Sequence, residues 1–394
     1  MGYPLLNRHA VWLVRTLALC AIWPCWAQQR TEVPNRTSAE RARVALEHGT
    51  RWLLENQLKS GAWGSHHSPR PNEVLASAPG SQDAFRVATT GLVLCALLDS
   101  PFGGEPKQVA LERGLSHLLE HYAVRRQSGI EHYNVWAFGY ALQGLGACLR
   151  EAVAPARQAE VREACDQLIA RLQGYQSVDG GWGYLSLQGY RTHPPAASSM
   201  SFTTATILVG LSRVQAQGVT VPDDMLQKAL ASLQRCRTPD GPYSYGERWS
   251  RAPQALINGA AGAACRTPAC QYARLLHGQE VSDSDRNRAL ADLLVRHGGL
   301  QRAGLRRPIP HESWCQISGY FYLYGHAYAA YMLELCPPGL RQRHAAGLAQ
   351  AVLACAQPDG SFWDYPLYSY HKPYGTAFAM IALARTLDEG HRSP

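Results

Sequence analysis

The chain has 394 residues, 46% apolar and 17% charged, with a formal net charge of +8. That is enough apolar chain for a substantial core in one large domain. The charges are scattered, with no polybasic block and no basic–aromatic interleaving, which argues against a nucleic-acid partner.

Residues 1–27 read as an export signal. Arg8 and Arg15 precede the apolar run 17–23, and Ala27 offers a small residue for cleavage before Gln28. The run is shorter than the roughly 20 apolar residues a membrane span needs. Export to the periplasm or the extracellular space is therefore expected, and without its two leader arginines the mature chain carries +6. Residues 28–38 are expected to be an exposed linker, and residues 39–390 a single domain.

The next segment, 43–54, places apolar residues at helical spacing on one face. It ends at Gln57-Leu58-Lys59-Ser60-Gly61-Ala62-Trp63-Gly64, a turn that carries a tryptophan. Gln176, Gly180 and Trp182 repeat the spacing of Gln57, Gly61 and Trp63. Asp240-Gly241-Pro242-Tyr243 keeps the turn with tyrosine, and 357–363 ends in Phe362-Trp363, which reads as a shift of one residue. Leu53, Leu172, Leu233 and Val352 each stand eight residues before a turn glycine. The glycines at 61, 180, 241 and 360 are separated by 119, 61 and 119 residues, so degenerate corners are due near 120 and 300. This is a repeat of about sixty residues, present six times.

Each unit reads as a helical hairpin. An amphipathic helix precedes the corner, as at 225–233, and an apolar helix follows it, as at 89–98, 136–149, 203–211, 326–335 and 376–387. A helix apolar all round must be buried all round, so six amphipathic helices should surround six apolar ones. Nine cysteines remain after the leader, an odd number that cannot all pair within one chain. Cys265 and Cys270 flank Arg266-Thr267-Pro268-Ala269, a loop short enough for a disulfide after export. Cys95, Cys148, Cys165 and Cys355 lie in apolar helical runs as small buried hydrophobes.

Gly49, Trp52, Leu53, Gln57, Gly61 and Trp63 resemble the QW repeat of the squalene cyclase and protein prenyltransferase superfamily. The resemblance implies an all-α fold, an α/α toroid or double-walled ring of about six helical hairpins, with Trp63 and Trp182 as structural clamps. The chain departs from the family's enzymes. It has no D-x-D-D acid, since Asp223-Asp224 follow Val221-Pro222, and no D-D-x-x-D magnesium site. Cys315 and His371 resemble two members of a prenyltransferase zinc triad, but Ser313 stands where the aspartate belongs. Packing for Cys315 and hydrogen bonding for His371 are the favoured roles, and neither a metal nor a cofactor is expected.

In a toroid the inner helices run parallel, so their N-termini share one mouth. His132, Asn134, Tyr322, Tyr324, His326, His371 and Tyr374 stand at or near such N-termini and form the candidate ligand-binding set. Each taken alone also has a structural reading, in packing or in satisfying backbone groups. Three functions fit the pattern: binding an apolar or isoprenoid-like small molecule in a central cavity, an enzyme of another class such as a polysaccharide lyase, or a protein-interaction scaffold with a filled ring.

Overall fold

Helices of two kinds alternate along the chain, and their burial follows their composition. The computed structural model describes residues 37–65, 81–124, 133–183, 199–298, 315, 317–365, 369 and 371–387. The export signal and nearly all of the expected linker lie outside them. Amphipathic helices are α1 (Ser38–Glu55), α3 (Gly104–His121), α5 (Gln158–Tyr175), α7 (Asp223–Arg235), α9 (Asp283–Arg296) and α11 (Pro338–Leu353). In α7 only one face is buried, at Met225, Leu226, Ala229, Leu230 and Leu233. A capping box starts α1, where the Glu40 N–H donates to Thr37 Oγ1 at 3.2 Å and the Thr37 N–H donates to Glu40 Oε2 at 2.7 Å.

Between them stand α2 (Ser81–Asp99), α4 (Asn134–Arg150), α6 (Ser201–Gln215), α8 (Arg266–Leu276), α10 (Tyr322–Glu334) and α12 (His371–Thr386). In α4 every residue from Ala137 to Leu149 is buried. Packing contacts run α2–α4–α6–α8–α10–α12 and back from α12 to α2, so the inner helices close a ring. Outer helices α3, α5, α7, α9 and α11 each pack on the inner helix before them, and α1 packs on α12. The fold is the expected α/α toroid. Among the described residues the β-structure amounts to three isolated bridges. No described helix is long and apolar enough to cross a membrane.

Glycine allows the inner helices to approach closely. A Cβ on Gly91 of α2 would lie 2.3 Å from the Tyr140 carbonyl oxygen of α4, and one on Gly144 would lie 2.7 Å from the Gly91 oxygen.

The recurring corners have a common geometry. Gly61, Gly180, Gly241 and Gly360 all take positive φ, from 84° to 103°. Two residues on, Trp63, Trp182, Tyr243 and Phe362 are at most 1% exposed. The backbone N–H of each aromatic residue donates to a threonine hydroxyl of the following inner helix: Thr90 at 3.2 Å, Thr204 at 3.0 Å, Thr267 at 3.4 Å and Thr376 at 2.9 Å. Gln57 Nε2 donates to the carbonyls of Gly61 and of Ala110 on α3, and Gln176 Nε2 to those of Gly180 and of Met225 on α7. The glutamine thus fastens its corner to the next outer helix.

Three details differ from the sequence reading. The fourth corner is in register, because Phe362 fills the clamp position and Trp363 lies half-buried beyond it. The segment 266–269 is the first turn of inner helix α8 rather than a loop. Its polar sequence hid it, and Pro268 fits there because the first turn needs no N–H from it. Cys265 and Cys270 are both free and buried, since five residues of helix turn their side chains away from one another. Cys95, Cys148, Cys165, Cys236, Cys336 and Cys355 are free as well.

Candidate functional site

Aromatic residues four apart share a helix face. Three inner helices carry such pairs: Trp136 and Tyr140 on α4, Tyr324 and Tyr328 on α10, Tyr374 and Phe378 on α12. The ring brings these faces together. Trp136 lies 6.0 Å from Phe202 of α6, Phe202 lies 5.0 Å from Phe321, and Phe321 lies 5.8 Å from Tyr324. Tyr324 is 5.9 Å from Phe378, Phe378 is 6.0 Å from Tyr140, and Tyr140 is 6.0 Å from Trp136. Five side chains from four inner helices, with Phe321 from the turn just before α10, therefore form a closed circuit of rings.

The circuit has a buried side and an open side. Tyr140, Phe202, Tyr324 and Phe378 are buried, whereas Trp136, Phe321 and Tyr374 are partly exposed. Tyr374 packs on Phe378 at 5.1 Å, and His371 meets Tyr374 edge-on at 5.1 Å. Beneath them Tyr328 lies 4.6 Å from Tyr324, and Gln143 donates its Nε2 to the Tyr328 hydroxyl at 3.1 Å and to the Thr206 carbonyl at 3.0 Å. The Tyr324 hydroxyl meets Thr206 Oγ1 and donates to the Phe202 carbonyl, each at 3.2 Å. Burial raises the phenols of Tyr140, Tyr324 and Tyr328 above their ordinary range, so all three are neutral. The surface is apolar and polarisable, above a hydrogen-bonded floor.

One flank of this surface is built by residues 245–263. Tyr245 lies 5.0 Å from Phe202, and its N–H donates to Asn258 Oδ1 at 2.9 Å. Arg266 holds the segment from inside the fold. Its guanidinium donates to the carbonyls of Tyr243 at 2.7 Å, Gly262 at 2.6 Å and Ile257, and lies 5.6 Å from the Tyr245 ring. Burial draws this arginine down to about 10.

The sequence-derived set divides. Tyr324 and Tyr374 meet across Phe378, with His371 beside Tyr374. Tyr322 and His326 lie on the opposite face of α10. The Tyr322 hydroxyl donates to the Ala351 carbonyl of α11 at 3.1 Å. His326 Nδ1 donates to the Tyr322 carbonyl at 2.7 Å, which leaves neutral His326 with an Nε2 lone pair toward His297 Nδ1 at 3.2 Å. Both side chains join inner wall to outer wall. Asn134 is fully buried, and its Nδ2 donates to the Val124 carbonyl at 3.3 Å, much as the corner threonines bind their corners. His132 lies outside the described residues. Sequence reasoning missed Trp136, Tyr140, Phe202, Phe321, Tyr328 and Phe378, although the three pairs at spacing four were a usable signal. Among the described residues no three His, Cys, Asp or Glu side chains gather to hold a metal ion.

The squalene-hopene cyclase C-terminal domain family matches residues 23–248, more than half of the chain. No curated protein matches it. The fold is similar to that of the type II terpene cyclase MstE from Scytonema in complex with geranylgeranyl dihydroxybenzoate, at 16% identity and a TM-score of 0.52, covering 89% of this chain and 98% of that one. It is similar also to the GH76A alpha-1,6-mannanase of Salegentibacter sp. HEL1_6, at 13% identity and a TM-score of 0.52 over 89% and 98% of the two chains. A possible GH105 member from Salmonella enterica matches at 13% identity and a TM-score of 0.50 over 93% and 98%. At these identities the likeness is one of fold.

Proposed function

Because the chain belongs to the squalene-hopene cyclase C-terminal domain family, we propose that it binds an apolar, isoprenoid-like small molecule on its circuit of aromatic rings. The circuit itself carries this reading. Six ring side chains converge from four inner helices and the turn before α10, and the partly exposed ones, Trp136 and Phe321 with neighbouring Tyr374, offer faces that a saturated or polyene chain can cover. The similar toroid of MstE is in complex with geranylgeranyl dihydroxybenzoate, an isoprenoid joined to a polar ring. In this chain Tyr324 and Tyr374 are the contacts we retain from the sequence-derived set, with His371 beside Tyr374. Tyr322, His326 and Asn134 serve the walls.

The sequence has no D-x-D-D acid, so the reading is retention of the molecule rather than protonation of a polyene. We read residues 1–27 as an export signal, which would place this activity outside the cytoplasm. Native mass spectrometry and lipid extraction of the purified protein test the proposal, with geranylgeraniol as an added probe. An isoprenoid-mass adduct, or saturable geranylgeraniol binding weakened by Trp136→Ala, supports it. Neither adduct nor binding by the folded native protein would sink it.

A further inference from the structure

Trp363 occupies a position held by Gly64, Gly183 and Ser244 in the other three glycine corners. Phe362 already serves as the clamp there, so the corner does not require a second large ring. The surroundings differ too. At the first three corners an arginine of the next outer helix donates to the turn carbonyls: Arg113 to Leu58 at 2.9 Å, Arg235 to Asp179 at 2.6 Å and Arg288 to Asp240 at 2.9 Å. At the fourth corner the ring closes, the next outer helix is α1, and Gly360 faces the backbone of His48.

A cavity of about 360 Å³ opens at this seam, lined by Trp52, Asn56, Ser65, Asp359, Trp363 and Lys372 among others. The Lys372 ammonium lies 5.7 Å from the Trp52 ring and 5.4 Å from the Trp363 ring, and it donates to Asp359. Burial acts to raise the Asp359 carboxyl, but hydrogen bonds from Lys372 and Ser361 outweigh it and hold the group at about 2. The cavity thus joins indole surface to a fixed carboxylate–ammonium pair. Lys372 and Tyr374 are two residues apart on α12 and point to different sides of it, so this cavity is separate from the aromatic circuit.

We infer that this seam cavity is a saccharide-binding site, in which the C–H face of a pyranose lies on Trp363 and its hydroxyls engage Asp359 and Lys372. The chemistry selects the class. An isoprenoid would cover the indoles but strip water from the ion pair without replacing its hydrogen bonds. A small ion would engage the pair but has no use for two indoles. A sugar has one apolar face and a rim of donors and acceptors, which matches both. The volume lies near the lower end of small-molecule sites, roughly 300–1,000 Å³, and suits one or two pyranose rings.

Ligand-observed saturation-transfer NMR on the purified full chain tests this, with maltose, cellobiose, gentiobiose and chitobiose as probes. The expected result is transfer to the C–H protons of at least one disaccharide, lost in Trp363→Ala and kept in Tyr374→Ala. Should Trp363→Ala fail to fold by far-UV circular dichroism, Trp363→Phe takes its place and should weaken the affinity about tenfold. No transfer from the folded native protein to any of these sugars overturns the inference, as does a signal unchanged in the Trp363 variant.

Discussion

Trp182 reaches ten residues back along the chain to Leu172, whose carbonyl accepts its indole N–H at 2.8 Å. Trp63 does the same to Leu53 at 2.7 Å, and all four residues are fully buried. The bond closes the C-terminal end of an outer helix, where carbonyls lack partners along the helix itself. Trp182→Phe keeps an aromatic ring but strands the Leu172 carbonyl, at a cost of about 1–3 kcal/mol. Trp182→Ala adds a cavity and should cost about 3–5 kcal/mol. Urea unfolding measures both, and an unchanged midpoint for the alanine variant would remove the clamp assignment.

Tyr374 and Trp136 are partly exposed members of the aromatic surface, so truncating them removes little buried packing. Tyr374→Ala and Trp136→Ala should each weaken geranylgeraniol binding by about tenfold, the scale of 1–2 kcal/mol of lost ring contact. Melting temperatures should stay within a few degrees of native. A large drop in stability with binding intact would assign these rings to the fold alone.

Arg266 is 4% exposed, and its guanidinium is matched to three carbonyls with no carboxylate among the described partners. Arg266→Met fills much of the volume but leaves those carbonyls without a donor. It should lower stability by more than about 2 kcal/mol. Residues 247–263 should release first, giving early limited-proteolysis cuts there. Cleavage spread evenly along the chain would show that Arg266 does not anchor this segment.

Acid should unfold this protein earlier than its carboxylates alone would require. Burial pulls His326 down to about 3 and His117 down to about 4, and it lowers His277, His297 and His344 as well. A histidine depressed in the folded state binds its proton more readily when unfolded. Its stabilising contribution is therefore complete above the unfolded value near 6.5 and is lost as pH falls toward the folded value. Asp364 opposes this trend. Burial raises its carboxyl to about 7, so its contribution strengthens as pH falls from 7 toward 4. One acid against five histidines leaves a net loss. Urea midpoints should drop between pH 6.5 and 5, less steeply in His326→Gln, and a flat profile would contradict the burial of these imidazoles.

The repeat was legible because each corner imposes local demands. A turn at positive φ selects glycine at 61, 180, 241 and 360, and a buried clamp two residues on selects a large ring, so the period survives wide divergence elsewhere. The same periodicity showed which helices are buried all round, and hence the double wall. Inner helix α8 escaped because Arg266, Thr267 and Gln271 are buried polar residues whose partners are supplied by distant segments. The candidate site was legible only in part. Sequence placed Tyr322, Tyr324 and His326 together at the start of one helix, but a helix turns about 100° per residue. Tyr324 therefore faces Phe378 of α12 and Thr206 of α6, while Tyr322 and His326 face α11 and the end of α9. Which face looks inward depends on how six helices roll against one another as the ring closes. That roll is set by contacts such as Gly91 against Tyr140, between residues far apart in the chain, and only the tertiary structure decides it.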